Sequence, residues 1–115
     1  MFAGQSQWVL PGLFCGSAGV IAATVNLFPK LHTKLYTLWK QGEVKEAMQI
    51  QEQLGHTDWA VIKIGGVTGL KRAVSEFFGY GSPDVRGPLT AAMPEKLMGK
   101  EGDQLRRMLE WENSL

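Results

Sequence analysis

The chain has 115 residues, the length of one small domain, which excludes two large domains. Apolar residues make up 44% and charged residues 20%, a composition typical of a globular chain rather than a disordered one. The formal net charge of +1 excludes an electrostatic argument for nucleic acid or an anionic membrane as partner. A single cysteine, Cys15, excludes an intrachain disulfide and a Cys-rich zinc site and fits a reducing, cytoplasmic compartment.

The first 29 residues carry no charge, because all 23 charged residues lie at or after Lys30. Residues 9–28 are long enough to cross a bilayer, but Pro11 and Asn26 are unfavourable in hydrocarbon. No basic residue precedes this stretch, as a signal peptide would require. A membrane or secreted protein therefore ranks below a globular one, and we expect no membrane partner.

Residues 1–29 are instead predicted to form a strand–helix–strand region. Residues 19–25 form a continuous apolar run, which is typical of a parallel strand buried on both faces. Residues 1–4 resemble the end of a second such strand, and residues 6–14 are long enough for a short helix that contains Pro11. Strand, helix and strand together form a βαβ unit of an α/β fold.

Residues 30–115 are predicted to be helical. A first helix begins near Pro29 and ends at Gln41-Gly42, and a second covers residues 43–53. Residues 65–69 are predicted to be a loop, residues 70–78 a third helix closed by Gly79, and residues 94–112 a last helix weakened by Gly99 and Gly102. The positions predicted to face inward are Leu31, Leu35, Leu38, Trp39, Val44, Ala47, Met48, Leu54, Leu97, Leu105, Met108 and Leu109.

Residue spacing alone reveals little chemistry. His32 and His56 are 24 residues apart without a Cys or carboxylate pattern, so we predict surface or capping histidines and no metal site. The glycine-rich segment 65–71 lacks the Gly-Lys-Ser/Thr ending of a phosphate-binding loop. Lys63 lies in an apolar patch, where it is either a Schiff-base nucleophile or, as we favour, a lysine that extends its charge to water.

Several motifs resemble one enzyme family in order and spacing. Residues 16–29, GSAGVIAATVNLFP, resemble the eighth-strand signature of the dihydrodipicolinate synthase and N-acetylneuraminate lyase family of class I aldolases. Gly4-Gln5-Ser6 resembles the loop after the seventh strand of that family. Residues 69–71 (GLK), 78–81 (FGYG) and 85–89 (VRGPL) resemble its C-terminal helix and closing segment, closest to the 4-hydroxy-2-oxoglutarate aldolase branch.

This resemblance implies a (β/α)8 TIM barrel, an α/β fold, of which residues 1–115 form one segment with the last strands and the C-terminal helices. The chain as it stands is then expected to be mostly α. The family forms a Schiff base between a lysine and a 2-oxo acid such as pyruvate, and needs no cofactor. Gly4 would bind substrate through its backbone and Ile21 would line the apolar side of the pocket. Ala22 departs from the family, which usually has Ser there.

The resemblance begins at the end of the seventh strand, so the segments carrying the Schiff-base lysine and the catalytic tyrosine are missing. We therefore assign no catalytic residue, and Lys63 is no replacement because it follows the eighth strand. The expected protein is part of a cytoplasmic or mitochondrial aldolase, inactive alone, whose 2-oxo acid substrate binds only to the intact parent.

The alternative is a non-enzymatic helical module that self-associates. We predict a homo-oligomer in either case, because apolar residues would lose the cover of a complete barrel. These residues are Phe2, Val20, Ile21, Leu31, Leu35, Trp39, Trp59 and Val61.

Overall fold

The computed structural model describes residues 1–115 and is mostly helical, as predicted. Its five α-helices are α1 (Val9–Phe14), α2 (Pro29–Lys40), α3 (Val44–Lys63), α4 (Val67–Phe78) and α5 (Lys100–Ser114). Three short 3-10 turns, Ser6–Trp8, Ala23–Asn26 and Pro94–Leu97, connect them. None of the helices is both long enough and apolar enough to cross a membrane.

The two predicted strands are reduced to one parallel bridge between Ala3 and Val20. The Ala3 amide donates to the Gly19 carbonyl at 3.0 Å, and the Ile21 amide donates to the Ala3 carbonyl at 2.9 Å. Beyond the bridge the chain turns into the 3-10 segment at Ala23, so the predicted strand over residues 19–25 is wrong. A strand pair needs further strands to be stable, and this chain provides none.

Helix α3 is longer than the predicted helix over residues 43–53, because Gly55 does not end it. Its apolar face continues through Leu54 to Val61, and both residues are buried against the core. Met48 is 59% exposed, contrary to the prediction, because it lies beside the face formed by Ala47 and its helical neighbours.

The turn between α3 and α4 is shorter than the predicted loop over residues 65–69. Gly65 (φ 123°) and Gly66 (φ 62°) make the turn in conformations that favour glycine, and α4 begins at Val67. A Cβ at Gly69 would lie 2.8 Å from the Ile64 carbonyl carbon, so α4 approaches the end of α3 only through glycine. Gly79 closes α4 with φ 70°, as predicted.

The predicted last helix over residues 94–112 is broken near Gly99, between the 3-10 turn and α5. Gly102 does not weaken the helix, as the sequence suggested, but is required by the packing. A Cβ at Gly102 would lie 2.5 Å from the carbonyl carbon of Leu97, far inside van der Waals distance. Gly102 thus lets α5 fold back against the turn that precedes it.

Helix α3 lies at the centre and packs against α2, α4, α5 and the Ser6–Trp8 turn. The prediction that apolar residues lose their cover without a complete barrel is therefore partly wrong, because Leu31, Leu35 and Val61 are buried within this single chain. Phe2 and Ile21 remain exposed, by 57% and 72%. The largest fully buried apolar side chains are Phe28, Leu27, Leu31, Leu35, Leu54, Ile64 and Leu105.

Candidate functional site

Gly4 and Ile21, the two residues expected to bind substrate, lie at the same end of the parallel bridge. Each follows directly after a bridged residue, Ala3 or Val20. The space beside Gly4 is open, with no atom within 4 Å of where a Cβ would stand. Gly4 also borders a cavity of about 260 Å³ that reaches Asp58, whereas Ile21 faces outward.

Beneath this edge, a buried hydroxyl pair joins the two loops that follow the bridged segments. Ser6 and Thr24 are both fully buried, and the Ser6 Oγ atom hydrogen-bonds to Thr24 Oγ1. Ser6 belongs to the turn after Gly4, and Thr24 to the turn after Ile21. Their hydrogen bond therefore fixes the distance between the loops that carry Gly4 and Ile21.

His32 of α2 holds the Ser6 side of this pair. Its Nδ1 donates to the Phe28 carbonyl at 2.6 Å, because a carbonyl oxygen can only accept. In the neutral ring Nε2, 2.7 Å from Ser6 Oγ, can only accept. Because the Thr24 hydroxyl donates to Asp58, the single Ser6 proton serves either His32 Nε2 or Thr24 Oγ1. Burial lowers the pKa of His32 below its ordinary value of 6.5, because desolvation penalises the charged imidazolium. The hydrogen bond to Phe28 and the charges of Asp58 and Glu112 raise the pKa, but by less.

Asp58 of α3 holds the Thr24 side. Its Oδ1 accepts from Thr24 Oγ1 at 3.0 Å, and its Oδ2 accepts from the Gln7 amide at 2.8 Å. Gln51, about two turns earlier on α3, accepts from the Leu10 amide at 2.7 Å and donates to the Ser6 carbonyl at 2.9 Å. Helix α3 therefore fixes the backbone of the first turn as well as the side chains.

The four residues Ser6, Thr24, His32 and Asp58 form what we call the buried network. By distance alone, Ser6 and His32 could be a nucleophile and its base. Ser6 has no exposed surface, however, so no substrate reaches its hydroxyl. The buried network can position the loops above it, and it leaves no buried side-chain polar atom without a partner.

Sequence reasoning missed this network and predicted His32 to be a surface or capping residue. His32 is only 6% exposed. The signal was present in the helical pattern, because His32 lies beside Leu31 and Leu35 on the face that packs inward. Asp58 likewise lies between Leu54 and Val61. A polar residue within an apolar face needs a buried partner.

The remaining candidates lie on the surface. The Lys63 side chain is 57% exposed and lies 4.0 Å from Glu101, which does not fit a Schiff-base nucleophile in a closed pocket. His56 is exposed, as predicted. The structure contains no group of three or more His, Cys, Asp or Glu side chains that could hold a metal ion.

The structure is thus a set of helices packed around one parallel bridge between Ala3 and Val20. The sequence profile of the Dihydrodipicolinate synthetase family matches residues 1–105. The chain therefore belongs to the Dihydrodipicolinate synthetase family, which confirms the resemblance seen in its motifs.

Individual relatives agree with this assignment. The chain is 34% identical over 114 residues to a protein of Emericella nidulans described as a probable 4-hydroxy-2-oxoglutarate aldolase, mitochondrial; the match covers 95% of the chain and 36% of the relative. It is 32% identical to the L-threo-3-deoxy-hexylosonate aldolase of Aspergillus niger, covering 99% of the chain and 33% of the relative.

A solved structure of a dihydrodipicolinate synthase family protein from Coccidioides immitis matches the fold with a TM-score of 0.79 at 28% identity. This match covers 99% of the chain and 38% of the solved one. The chain thus spans about a third of the length of the relatives it matches, in the conformation that the same segment has in a longer member of the family.

Proposed function

We propose that this chain is the C-terminal portion of a class I aldolase or synthase on a (β/α)8 barrel, acting on 2-oxo acids. The substrate class includes 4-hydroxy-2-oxoglutarate and the pyruvate used to form dihydrodipicolinate. Family membership and the aldolase names of the relatives support this proposal. The structural observation that supports it most is the parallel bridge between Ala3 and Val20, which places Gly4 and Ile21 at the same end.

Gly4 and Ile21 would contribute one side of the substrate pocket. The open space beside Gly4 permits a bound keto acid to approach the backbone without meeting a side chain. Ile21, 72% exposed here, would provide an apolar wall once the rest of a barrel surrounds it. The buried network would keep both residues in position, because each of its hydroxyls follows one of them along the chain.

The isolated chain is expected to be inactive. No residue of the bridge edge is a lysine or tyrosine, and Lys63 is exposed and beside Glu101. Incubation with pyruvate and borohydride should therefore leave the mass of the chain unchanged. A stoichiometric adduct on Lys63 or another lysine would show instead that the chain is an enzyme by itself.

A chimera tests whether the chain serves an aldolase. The chain would replace the segment that it matches in the Aspergillus niger aldolase, and cleavage of L-threo-3-deoxy-hexylosonate would be measured. We expect activity, and we expect Gly4→Val to abolish it while the chimera stays folded, because the added side chain points into open space. Gly87→Val is the control, since its Cβ also meets no atom within 4 Å but it is distant from the bridge in sequence. A folded chimera that retains Gly4 but lacks activity would refute the proposal, as would full activity in the Gly4→Val variant.

A second function, self-association, is favoured by the exposed apolar residues at the bridge. Phe2 and Ile21 are 57% and 72% exposed, and an unpaired strand edge invites another strand. The chain would then form a homo-oligomer through this edge. Its cellular location would be the cytoplasm or the mitochondrion. Sedimentation at micromolar concentration should detect the oligomer, and Ile21→Asp should dissociate it. A stable monomer would exclude this function.

A further inference from the structure

A groove of about 360 Å³ lies between α3 and α5, apart from the bridge edge. Its α3 side contains His56, Trp59 and Lys63, and its α5 side contains Lys100, Glu101 and Arg107. The volume is within the range of small-molecule sites, which is about 300–1,000 Å³. Nothing in the proposed aldolase chemistry uses these residues, since neither Gly4 nor Ile21 borders the groove.

The groove carries an excess of positive charge. Lys63 of α3 and Lys100 and Arg107 of α5 line it, and Glu101 is the one carboxylate among its lining residues. Glu101 lies 4.0 Å from Lys63, whereas Lys100 and Arg107 have no carboxylate within 4.0 Å. Two of the three cations are thus uncompensated, and both lie on α5. A bound dianion would neutralise them.

Trp59 gives the groove a second recognition element. Its indole is 57% exposed although it belongs to the helix at the centre of the fold. An exposed tryptophan face binds planar aromatic rings by stacking, and every nucleobase has such a face. His56, one turn earlier on α3, borders the same part of the groove.

We propose that this groove binds a small nucleotide, with its phosphates at Lys100 and Arg107 and its base stacked on Trp59. The uncompensated cations account for phosphate binding. The Trp59 indole accounts for a preference for a nucleotide over an inorganic phosphate. The binding involves no chemical step and leaves the nucleotide unchanged.

Isothermal titration calorimetry of the full chain with ADP and with inorganic pyrophosphate tests the proposal. Both probes carry two linked phosphates, so the difference between their Kd values measures the contribution of the nucleoside. We expect ADP to bind more tightly, and Trp59→Leu to weaken ADP about tenfold while changing pyrophosphate less than about twofold. Lys100→Gln combined with Arg107→Gln should weaken both probes about tenfold or more.

The matched control combines Lys34→Gln with Lys45→Gln, which removes the same charge from exposed positions outside the groove. It should leave both Kd values within about twofold, because distant exposed charges are screened. Independent of any variant, ADP should shift the backbone NMR signals of α3 and α5 near the groove and not those around the bridge. Equal loss in the control, equal affinity for ADP and pyrophosphate, or shifts elsewhere would overturn the proposal.

Discussion

The carboxylate of Glu112 accepts a hydrogen bond at 2.8 Å from the backbone amide of Leu31, 81 residues earlier in the chain. Its other oxygen accepts from the Lys30 amide, also at 2.8 Å. The last helix therefore caps the N-terminus of α2, where Phe28 provides no side-chain cap. This contact joins the C-terminal helix to the helix that carries His32, and so to the support of the candidate site.

Replacing Glu112 with Ala should lower the free energy of unfolding by about 2–4 kcal/mol, because a buried and a part-buried amide lose a charged acceptor. Glu112→Gln should cost less, since the amide oxygen still accepts one bond. Urea denaturation followed by circular dichroism measures both. Glu110→Ala, an exposed position on the same helix, is the control and should change stability by less than about 0.5 kcal/mol.

Two glycines within helices should respond in opposite directions to alanine. Gly102→Ala should destabilise the chain strongly, by about 3 kcal/mol or more, because the new Cβ would overlap the Leu97 carbonyl. Gly55→Ala should stabilise it by about 0.5–1 kcal/mol, because its Cβ would make ordinary contact with Gln7 Cβ at 3.8 Å and alanine favours helix. Thermal unfolding compares the two, and similar effects would contradict the packing described for α5.

The stability of the chain should depend on pH through His32. Its pKa in the folded state is lower than in the unfolded state, so the unfolded chain binds more protons at mildly acidic pH. Stability should be complete above about pH 6.5 and decrease as the pH falls toward the folded pKa, with a slope of at most about 1.4 kcal/mol per unit.

Urea titrations between about pH 5.5 and 7.5 test this dependence. His32→Asn should abolish the slope whatever its effect on stability at neutral pH, and His56→Asn should leave the slope unchanged because His56 is exposed. Stability that rises on acidification would mean that the buried network prefers the imidazolium.

Thr24→Val should separate the two halves of the buried network. Valine has nearly the same shape, but it cannot donate to Asp58 Oδ1 or hydrogen-bond to Ser6. Loss of about 1–3 kcal/mol is expected, because a buried carboxylate oxygen loses its donor. Amide hydrogen exchange should also accelerate at Ile21 and Ala3, whose bridge lies above the network.

Thr33→Val is the control for Thr24→Val, since the Thr33 hydroxyl bonds to the Pro29 carbonyl on the exposed face of α2. It should leave exchange at the bridge unchanged. Unchanged exchange in Thr24→Val would show that the network does not position Gly4 and Ile21.

The sequence by itself determined that most of the chain is helical, where α2 lies and which family the chain belongs to. The apolar spacing of Leu31, Leu35, Leu38 and Trp39 predicted α2, because a helix returns to the same face every three to four residues. Gly79 predicted the end of α4, since a left-handed residue stops a helix. The motifs over residues 16–29 identified the family because they are local strings of residues.

Only the tertiary structure decided which polar residues became buried and which glycines were essential. Ser6, Thr24, His32 and Asp58 are separated by up to 52 positions, and their hydrogen bonds arise from folding rather than from local spacing. The sequence alone suggests that Gly102 weakens a helix. In the structure the Leu97 carbonyl packs against Gly102 and leaves no room for a side chain. The predicted strand at residues 19–25 failed for the same reason, because strands are stabilised by neighbours that lie elsewhere in a chain.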